Sequence, residues 1–403
     1  MQSTNSVLSS FGTTVFEVMS RLAIEHESVN LGQGFPDGNG PDDVRAVAHD
    51  ALDNASNQYP PMMGIPELRQ AVAAHDKRFY DIDADWQRET IVASGATEVL
   101  AAALFGLLDR GDEIIMFEPL YDSYIPIARL AGATVKLVRL QPPDWRVPLD
   151  ELAAAFGPKT KAILLNSPLN PAGKVFTRAE LEAVAALVAE HDCYAICDEV
   201  YEHIVFDDTP HIPLMTLPGM RDRCVRIGSS GKTFSLTGWK VGYGTASPEV
   251  MAPIAKAHQF LTFTTPPNLQ HAVAYGLNKD DAYFASLSGD MQASRDRLAQ
   301  GLSDIGFAVA PCKGTYFLNA DFRPLGFTGT DEEFCRHITV EAGVTGVPVS
   351  AFYMGGDGPT HFARFCFCKE NATLDEALRR LKKHFGKDNT NSTKLSSTKS
   401  KAV

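Results

Sequence analysis

Between about residues 90 and 246, short apolar segments alternate with amphipathic ones, and no other feature limits the possible folds as strongly. The apolar segments are Thr90 to Ser94, Glu113 to Phe117, Thr134 to Val138, Ala162 to Leu165, Tyr194 to Cys197, Cys224 to Ile227 and Val241 to Ala246. Helical patterns fill the gaps. Two examples are Thr97 to Leu108 and Thr177 to Glu190, the second opening on a threonine cap with Glu180 three residues on. Strands that read as nearly continuous apolar runs between helices predict an α/β domain, a mostly parallel sheet with helices on both faces.

The chain has 403 residues, more than the roughly 250 to 300 at which one core stops growing, so a second domain is expected. After a helical stretch at Ala282 to Ile305 the pattern changes. Strand candidates at Phe307 to Ala310, Thr315 to Ala320 and Phe362 to Phe367 flank helices near Asp331 to Ala342 and Leu374 to His384, which predicts a smaller α+β domain. The expected division is 41–285 for the large domain, with 1–40 and 286–386 forming the small one. Residues 387–403, rich in Ser, Thr, Asn and Lys, offer too little apolar surface to offset their ordering entropy and are expected to be a disordered tail.

A net charge of -12 argues against a general nucleic-acid or anionic-membrane binder. Seven cysteines in apolar segments do not form a spaced disulfide framework and point to reduced, buried thiols. Cys366 and Cys368 alternate with Phe365 and Phe367, and without a matching Cys/His pair they read as core rather than metal ligands. No metal is expected. With neither a basic leader nor an apolar run near 18 residues, the expected location is the cytoplasm.

The chemistry concentrates at the ends of the predicted strands, where open α/β sheets bind ligands. Lys232 stands in Gly228-Ser229-Ser230-Gly231-Lys232-Thr233, a small-residue segment that lets an amine reach a carbonyl, which makes it a candidate Schiff-base lysine. Gly231-Lys232-Thr233 also looks like the end of a nucleotide phosphate loop, but the glycine required five residues before Gly231 is Arg226. Ser94-Gly95-Ala96-Thr97 joins a strand to a helix and suits a phosphate at the helix end. Asp198 directly follows the strand Tyr194 to Cys197, so its carboxylate is expected in the crevice, where it can hold a heterocyclic nitrogen protonated.

Taken in order, these motifs resemble the class I/II pyridoxal-phosphate-dependent aminotransferases of fold type I. The match runs from Leu31-Gly32-Gln33-Gly34-Phe35-Pro36-Asp37 to Ala363-Arg364-Phe365-Cys366-Phe367, and it is nearest the branch of kynurenine aminotransferases (glutamine transaminase K) and bacterial methionine aminotransferases. The resemblance implies pyridoxal 5'-phosphate as cofactor, with Lys232 as its Schiff-base lysine and Asp198 on the pyridine nitrogen. Asn170 and Tyr201 would donate to the phenolic oxygen, and Tyr121 would stack on the ring. Gly95, Ala96, Thr97, Ser229 and Lys240 would hold the phosphate, joined by Tyr59 from a neighbouring subunit, which implies a homodimer with shared active sites.

By the same resemblance Arg364 would clamp the substrate carboxylate, a task that suits its planar fork of donors, with Gly34 and Asn170 completing the site. Phe35, Tyr121 and Phe263 of the partner would give the side-chain pocket apolar walls. The expected reaction is ping-pong transfer from an aromatic, glutamine/methionine-type or kynurenine amino acid to a 2-oxo acid. Alternatives on the same cofactor are a cysteine-S-conjugate or cystathionine β-lyase and an N-succinyldiaminopimelate aminotransferase, the latter requiring a cationic patch. A catalytically silent protein on this fold is disfavoured by the joint presence of Lys232, Asp198, Tyr201, Asn170 and Arg364.

Overall fold

The computed structural model describes residues 4–354 and 357–386. The tail expected at 387–403 lies outside the described residues. Seven strands, Thr90–Ala93 (β1), Glu113–Glu118 (β2), Thr134–Arg139 (β3), Thr160–Asn166 (β4), Tyr194–Asp198 (β5), Cys224–Ser229 (β6) and Gly242–Ala246 (β7), form one sheet. Its order is β1-β7-β6-β5-β4-β2-β3. β7 runs antiparallel to both of its neighbours, and the other pairings are parallel.

The central strands are buried along nearly their whole length, which is why they read as unbroken apolar runs. Helix Ala96–Leu107 (α1) buries Val99, Leu100, Ala103 and Leu104 against one face. Helix Arg178–Glu190 (α2) covers the other with Leu181, Val184 and Val188. Its N-terminus carries the capping box expected of Thr177 and Glu180. Among the described residues no helix is long and apolar enough to cross a membrane.

A smaller antiparallel sheet is built from Ala308–Val309 (β8), Phe317–Asp321 (β9), Val347–Pro348 (β10) and Phe362–Cys366 (β11), in the order β10-β11-β9-β8. Helices Asp281–Ile305 and Asn371–Phe385 bury Leu298, Leu302, Leu374, Ala377 and Leu381 in the same core. The N-terminal segment joins it: Val29–Asn30 pairs in parallel with Val344–Thr345, and Met19 and Leu31 pack in that core. The helix expected over Asp331 to Ala342 is α-helical only to His337 and continues as a π-helical turn from Ile338 to Ala342.

Arg226 on β6 is 1% exposed and contacts Asp76 at 2.6 Å, Glu199 at 2.8 Å and also Glu202, tying helix Pro66–Tyr80 to the segment that follows Asp198. Beside it the Nε2 atoms of His75 and His203 share a 2.7 Å hydrogen bond. All seven cysteines are buried and free.

Candidate active site

β1, β4, β5 and β6 all point their carboxyl ends at one cavity of about 370 Å³, within the usual range for small-ligand sites. The register sets Asn166 beside Asp198, and Asp198 beside Ile227 of β6, two residues before Ser229. Twelve residues singled out in the sequence line this cavity: Gly34, Gly95, Ala96, Thr97, Tyr121, Asn170, Asp198, Tyr201, Ser229, Lys232, Lys240 and Arg364.

Asp198 ends its strand buried, with Tyr124 Oη donating to Oδ2 at 2.5 Å and the Val200 amide to Oδ1 at 3.4 Å. Burial nevertheless lifts its carboxyl above the ordinary range, against the pull of the Tyr124 bond. A cationic partner inside the cavity would relieve that cost. Tyr124 was not singled out by sequence. Its signal was the spacing Tyr121-Asp122-Ser123-Tyr124, which carries the second ring to a buried position at the start of helix Tyr124–Leu130.

Lys232, in the small-residue segment, lies on a single helical turn, Ser230–Thr233. The turn follows β6 directly, and Phe234 N closes it on the Ser230 carbonyl at 2.8 Å. Burial is the main cause that pushes the Lys232 ammonium below its ordinary value. Its Nζ is 5.7 Å from the Tyr201 ring and 5.5 Å from that of Tyr316. Tyr316, also missed by sequence, donates to the Gly34 carbonyl at 2.9 Å.

The turn before α1 is a ready anion cradle. Gly95 has φ of 83°, and a Cβ there would sit 3.1 Å from Lys240 Nζ, so glycine is required both for the backbone and for the lysine's approach. The α1 N-terminus, Ser229 and Lys240 surround the same space.

Arg364, on the central strand β11, is 1% exposed. Nη1 donates to Asn170 Oδ1 at 3.0 Å and Nη2 to the Gly32 carbonyl at 2.7 Å, while Nε has no partner. Phe317, Phe352 and Phe16 surround the guanidinium at 3.9, 4.9 and 5.2 Å from their ring centroids. Desolvation depresses it to about 10. A guanidinium can only donate, so the Asn170 oxygen is committed to Arg364 and its amide NH₂ is left for the cavity. A Cβ on Gly34 would meet Phe317 Cζ at 2.3 Å, which makes the residue a space requirement of this wall.

Three expected contributors lie outside the cavity lining. Phe35 is 45% exposed, with its ring 4.5 Å from Lys369 Nζ in a separate groove. Lys369 also donates to the Phe35 carbonyl and to Asp37, which draws Phe35 to that groove. Phe16 and Phe317 line the cavity instead. Tyr59 is 84% exposed and Phe263 38%, and the two rings pack against each other at 5.6 Å on the surface.

The residues present fit pyridoxal 5'-phosphate. A buried carboxylate at one end of the cavity suits a protonated ring nitrogen. The amide-rich turn with Lys240 suits a phosphate, and an amine of depressed basicity suits the aldehyde.

The sequence model described as aminotransferase class I and II matches residues 26–381. The chain is 44% identical over 392 residues to a probable N-succinyldiaminopimelate aminotransferase, DapC, of Mycobacterium tuberculosis, covering 94% of this chain and 98% of that protein. It is 37% identical over 397 residues to kynurenine–oxoglutarate transaminase 1 of Homo sapiens, covering 90% and 94%. Among solved structures, YbdL from Escherichia coli, described as having a methionine aminotransferase function, superposes with a TM-score of 0.92 at 39% identity, covering 95% of this chain and 100% of that one.

Proposed function

The chain belongs to the class I and II aminotransferases, a pyridoxal-phosphate-dependent family, and from that premise we propose that it moves the amino group of an aromatic or thioether amino acid to a 2-oxo acid. Phenylalanine, tyrosine, kynurenine and methionine form this class, with glutamine a further uncharged donor. One observation carries this reading: among the described residues lining the cavity the only Lys or Arg cations are Lys232, Lys240 and Arg364, and each has a task in any aminotransfer. A second carboxylate on the substrate would find no cation there, whereas Phe16, Phe317 and Tyr121 offer apolar walls.

In this reading the cofactor supplies an electron sink for the carbanion at the substrate α-carbon. Asp198 would hold the ring nitrogen protonated; opposite charges about 4 Å apart at an effective dielectric near 20 attract by roughly 4 kcal/mol. The amide NH₂ of Asn170 and the phenol of Tyr201, both lining the cavity, would donate to the phenolic oxygen. Gly95 to Thr97, Ser229 and Lys240 would hold the phosphate. Arg364 would grip the substrate carboxylate with its free edge and so orient the α-hydrogen toward Lys232 Nζ, which would take that proton once the incoming substrate amine has displaced it from the cofactor. Burial keeps a larger share of the amine in the neutral form that can do so.

A homodimer in the cytoplasm completes the proposal. The exposed Tyr59–Phe263 pair lies beside Phe260, 81% exposed, and Leu261, 44% exposed, a face suited to a second copy whose site these rings would reach.

The likeness to the DapC relative favours one second reading, transfer to or from N-succinyldiaminopimelate, in which the partner subunit would have to provide the distal cation. A donor panel read as kcat/KM separates the two readings. Aromatic and thioether donors should exceed glutamate, aspartate and N-succinyldiaminopimelate by at least about tenfold, more than 1 kcal/mol of discrimination. Preference for the succinylated substrate would overturn the first reading. Pyruvate and ammonia released from a cysteine conjugate without any oxo acid would reveal the lyase.

A further inference from the structure

Behind the Gly95–Thr97 turn, away from the cavity, sits a buried imidazole that the proposed chemistry does not use. His258, 0% exposed, lies in helix Pro248–Leu261. Its Nδ1 is 2.6 Å from Glu98 Oε1 and its Nε2 is 2.9 Å from the Met62 carbonyl oxygen. Thr262 Oγ1 donates to the same Glu98 oxygen at 2.6 Å, and the other oxygen, Oε2, takes the Ser94 amide at 2.5 Å. Burial acts to raise the Glu98 carboxyl, but the bonds from His258, Thr262 and Ser94 outweigh it and hold it below its ordinary value. Glu98 is therefore a carboxylate, and neither it nor a backbone carbonyl has a proton to give. A ring with an acceptor against each nitrogen satisfies both only when it carries both protons.

We propose that His258 is a positioning residue for the cofactor phosphate. As a buried cation it pins Glu98, and Glu98 pins the Ser94 amide and with it the turn whose next residues present the phosphate-binding amides. The same ring holds the Met62 carbonyl, three residues after Tyr59. Its helix end bends into Thr262 and Phe263, whose amides both bond the His258 carbonyl. Three segments thus meet on one charge: the phosphate turn, the Tyr59 loop and the Phe263 bend. Ser94 Oγ and Thr265 Oγ1, 3.1 Å apart, close the circuit. A neutral ring would set a lone pair against one of the two acceptors and release either the turn or the loop.

The inference rests on the reading of Gly95–Thr97 as the phosphate site, and its test separates the two. The full-length protein and its His258→Gln, His258→Lys and Glu98→Gln variants are titrated with pyridoxal 5'-phosphate and, separately, with pyridoxal, which lacks the phosphate. Melting temperatures without cofactor serve as the control for folding. His258→Gln and Glu98→Gln should weaken pyridoxal phosphate binding by about tenfold or more, the loss of one charged hydrogen bond, and leave pyridoxal within about twofold. His258→Lys restores a cation with donors for both acceptors and should bring binding back to within about threefold. Equal weakening of both ligands in His258→Gln, unchanged binding of both, or a lysine variant as weak as the glutamine one would overturn the role of His258. Wild-type protein that binds pyridoxal as tightly as its phosphate ester would instead overturn the phosphate-site reading itself.

Discussion

Replacing Arg364 by methionine should separate function from stability. Arg364 is a buried cation, and its hydrogen bonds within the described chain go only to uncharged acceptors, Asn170 Oδ1 and the Gly32 carbonyl. The fall of its guanidinium from the ordinary arginine value to about 10 corresponds to roughly 3 kcal/mol of cost in the folded state. The sign follows from the direction of the shift. Both folded and unfolded forms are fully protonated at neutral pH, so the whole cost is present there. Arg364→Met removes it, but strips two buried acceptors of their donor at about 1 to 3 kcal/mol each. These terms nearly cancel, and the melting temperature should move by no more than about 3 °C.

Catalysis should behave very differently. A carboxylate bound through two parallel charged bonds loses about 3 to 6 kcal/mol without them, which predicts a fall in kcat/KM of roughly 10² to 10⁴. The assay pairs initial rates on phenylalanine with thermal unfolding of the cofactor-loaded protein in 3-phenylpropionate, a monocarboxylate that cannot react. At about 100 times its Kd such a ligand stabilises wild type by roughly 2.7 kcal/mol, and it should do nothing for the variant. Equal stabilisation of both proteins, or a variant melting more than about 10 °C lower, would refute the reasoning that Arg364 is held in readiness for an anion.

Asp198→Asn should lower kcat by about three orders of magnitude, the equivalent of roughly 4 kcal/mol of lost charge stabilisation, as measured by steady-state rates with saturating cofactor. In cofactor-free protein the same change should raise the melting temperature at pH 7. Burial lifts the Asp198 carboxyl above its unfolded value, so the fold is penalised as pH rises through that raised value, and the gap between variant and wild type should narrow as pH falls toward about 4. A gap independent of pH would contradict this. Gly34→Ala forces a methyl against Phe317 and should cost about 1 to 3 kcal/mol of stability in denaturant titrations. Because Phe317 is stacked on Arg364, KM for the amino donor should rise as well, and an unchanged KM would count against the packing argument.

Strand positions were legible in the sequence because their chemistry is local. A strand covered on both faces must be apolar throughout, and Ala162 to Leu165 or Tyr194 to Cys197 could take no other form in an alternating pattern. Lys232, Asp198, Gly95 and Arg364 stood out for a related reason, since each polar or glycine residue interrupts or ends an apolar run. The residues missed are those whose role depends on distant chain. Tyr124 is one aromatic among many until β5 brings Asp198 to its hydroxyl, and Phe16 meets Arg364 only because the N-terminal segment joins the small sheet. Phe35 misled because it follows Gly34 directly, and one residue along the chain was enough to turn its ring toward Lys369 and away from the cavity. The helical turn at Lys232 was hidden by Gly231, whose poor helix propensity is overridden by the closing Ser230–Phe234 bond.

Lys232 is the one amine expected to carry the cofactor. Borohydride reduction of the cofactor-loaded protein, followed by digestion and peptide mass mapping, should find one phosphopyridoxyl group per chain, on Lys232. Its attachment to Lys240 or any other lysine, or no attachment at all in protein saturated with pyridoxal phosphate, would contradict the account.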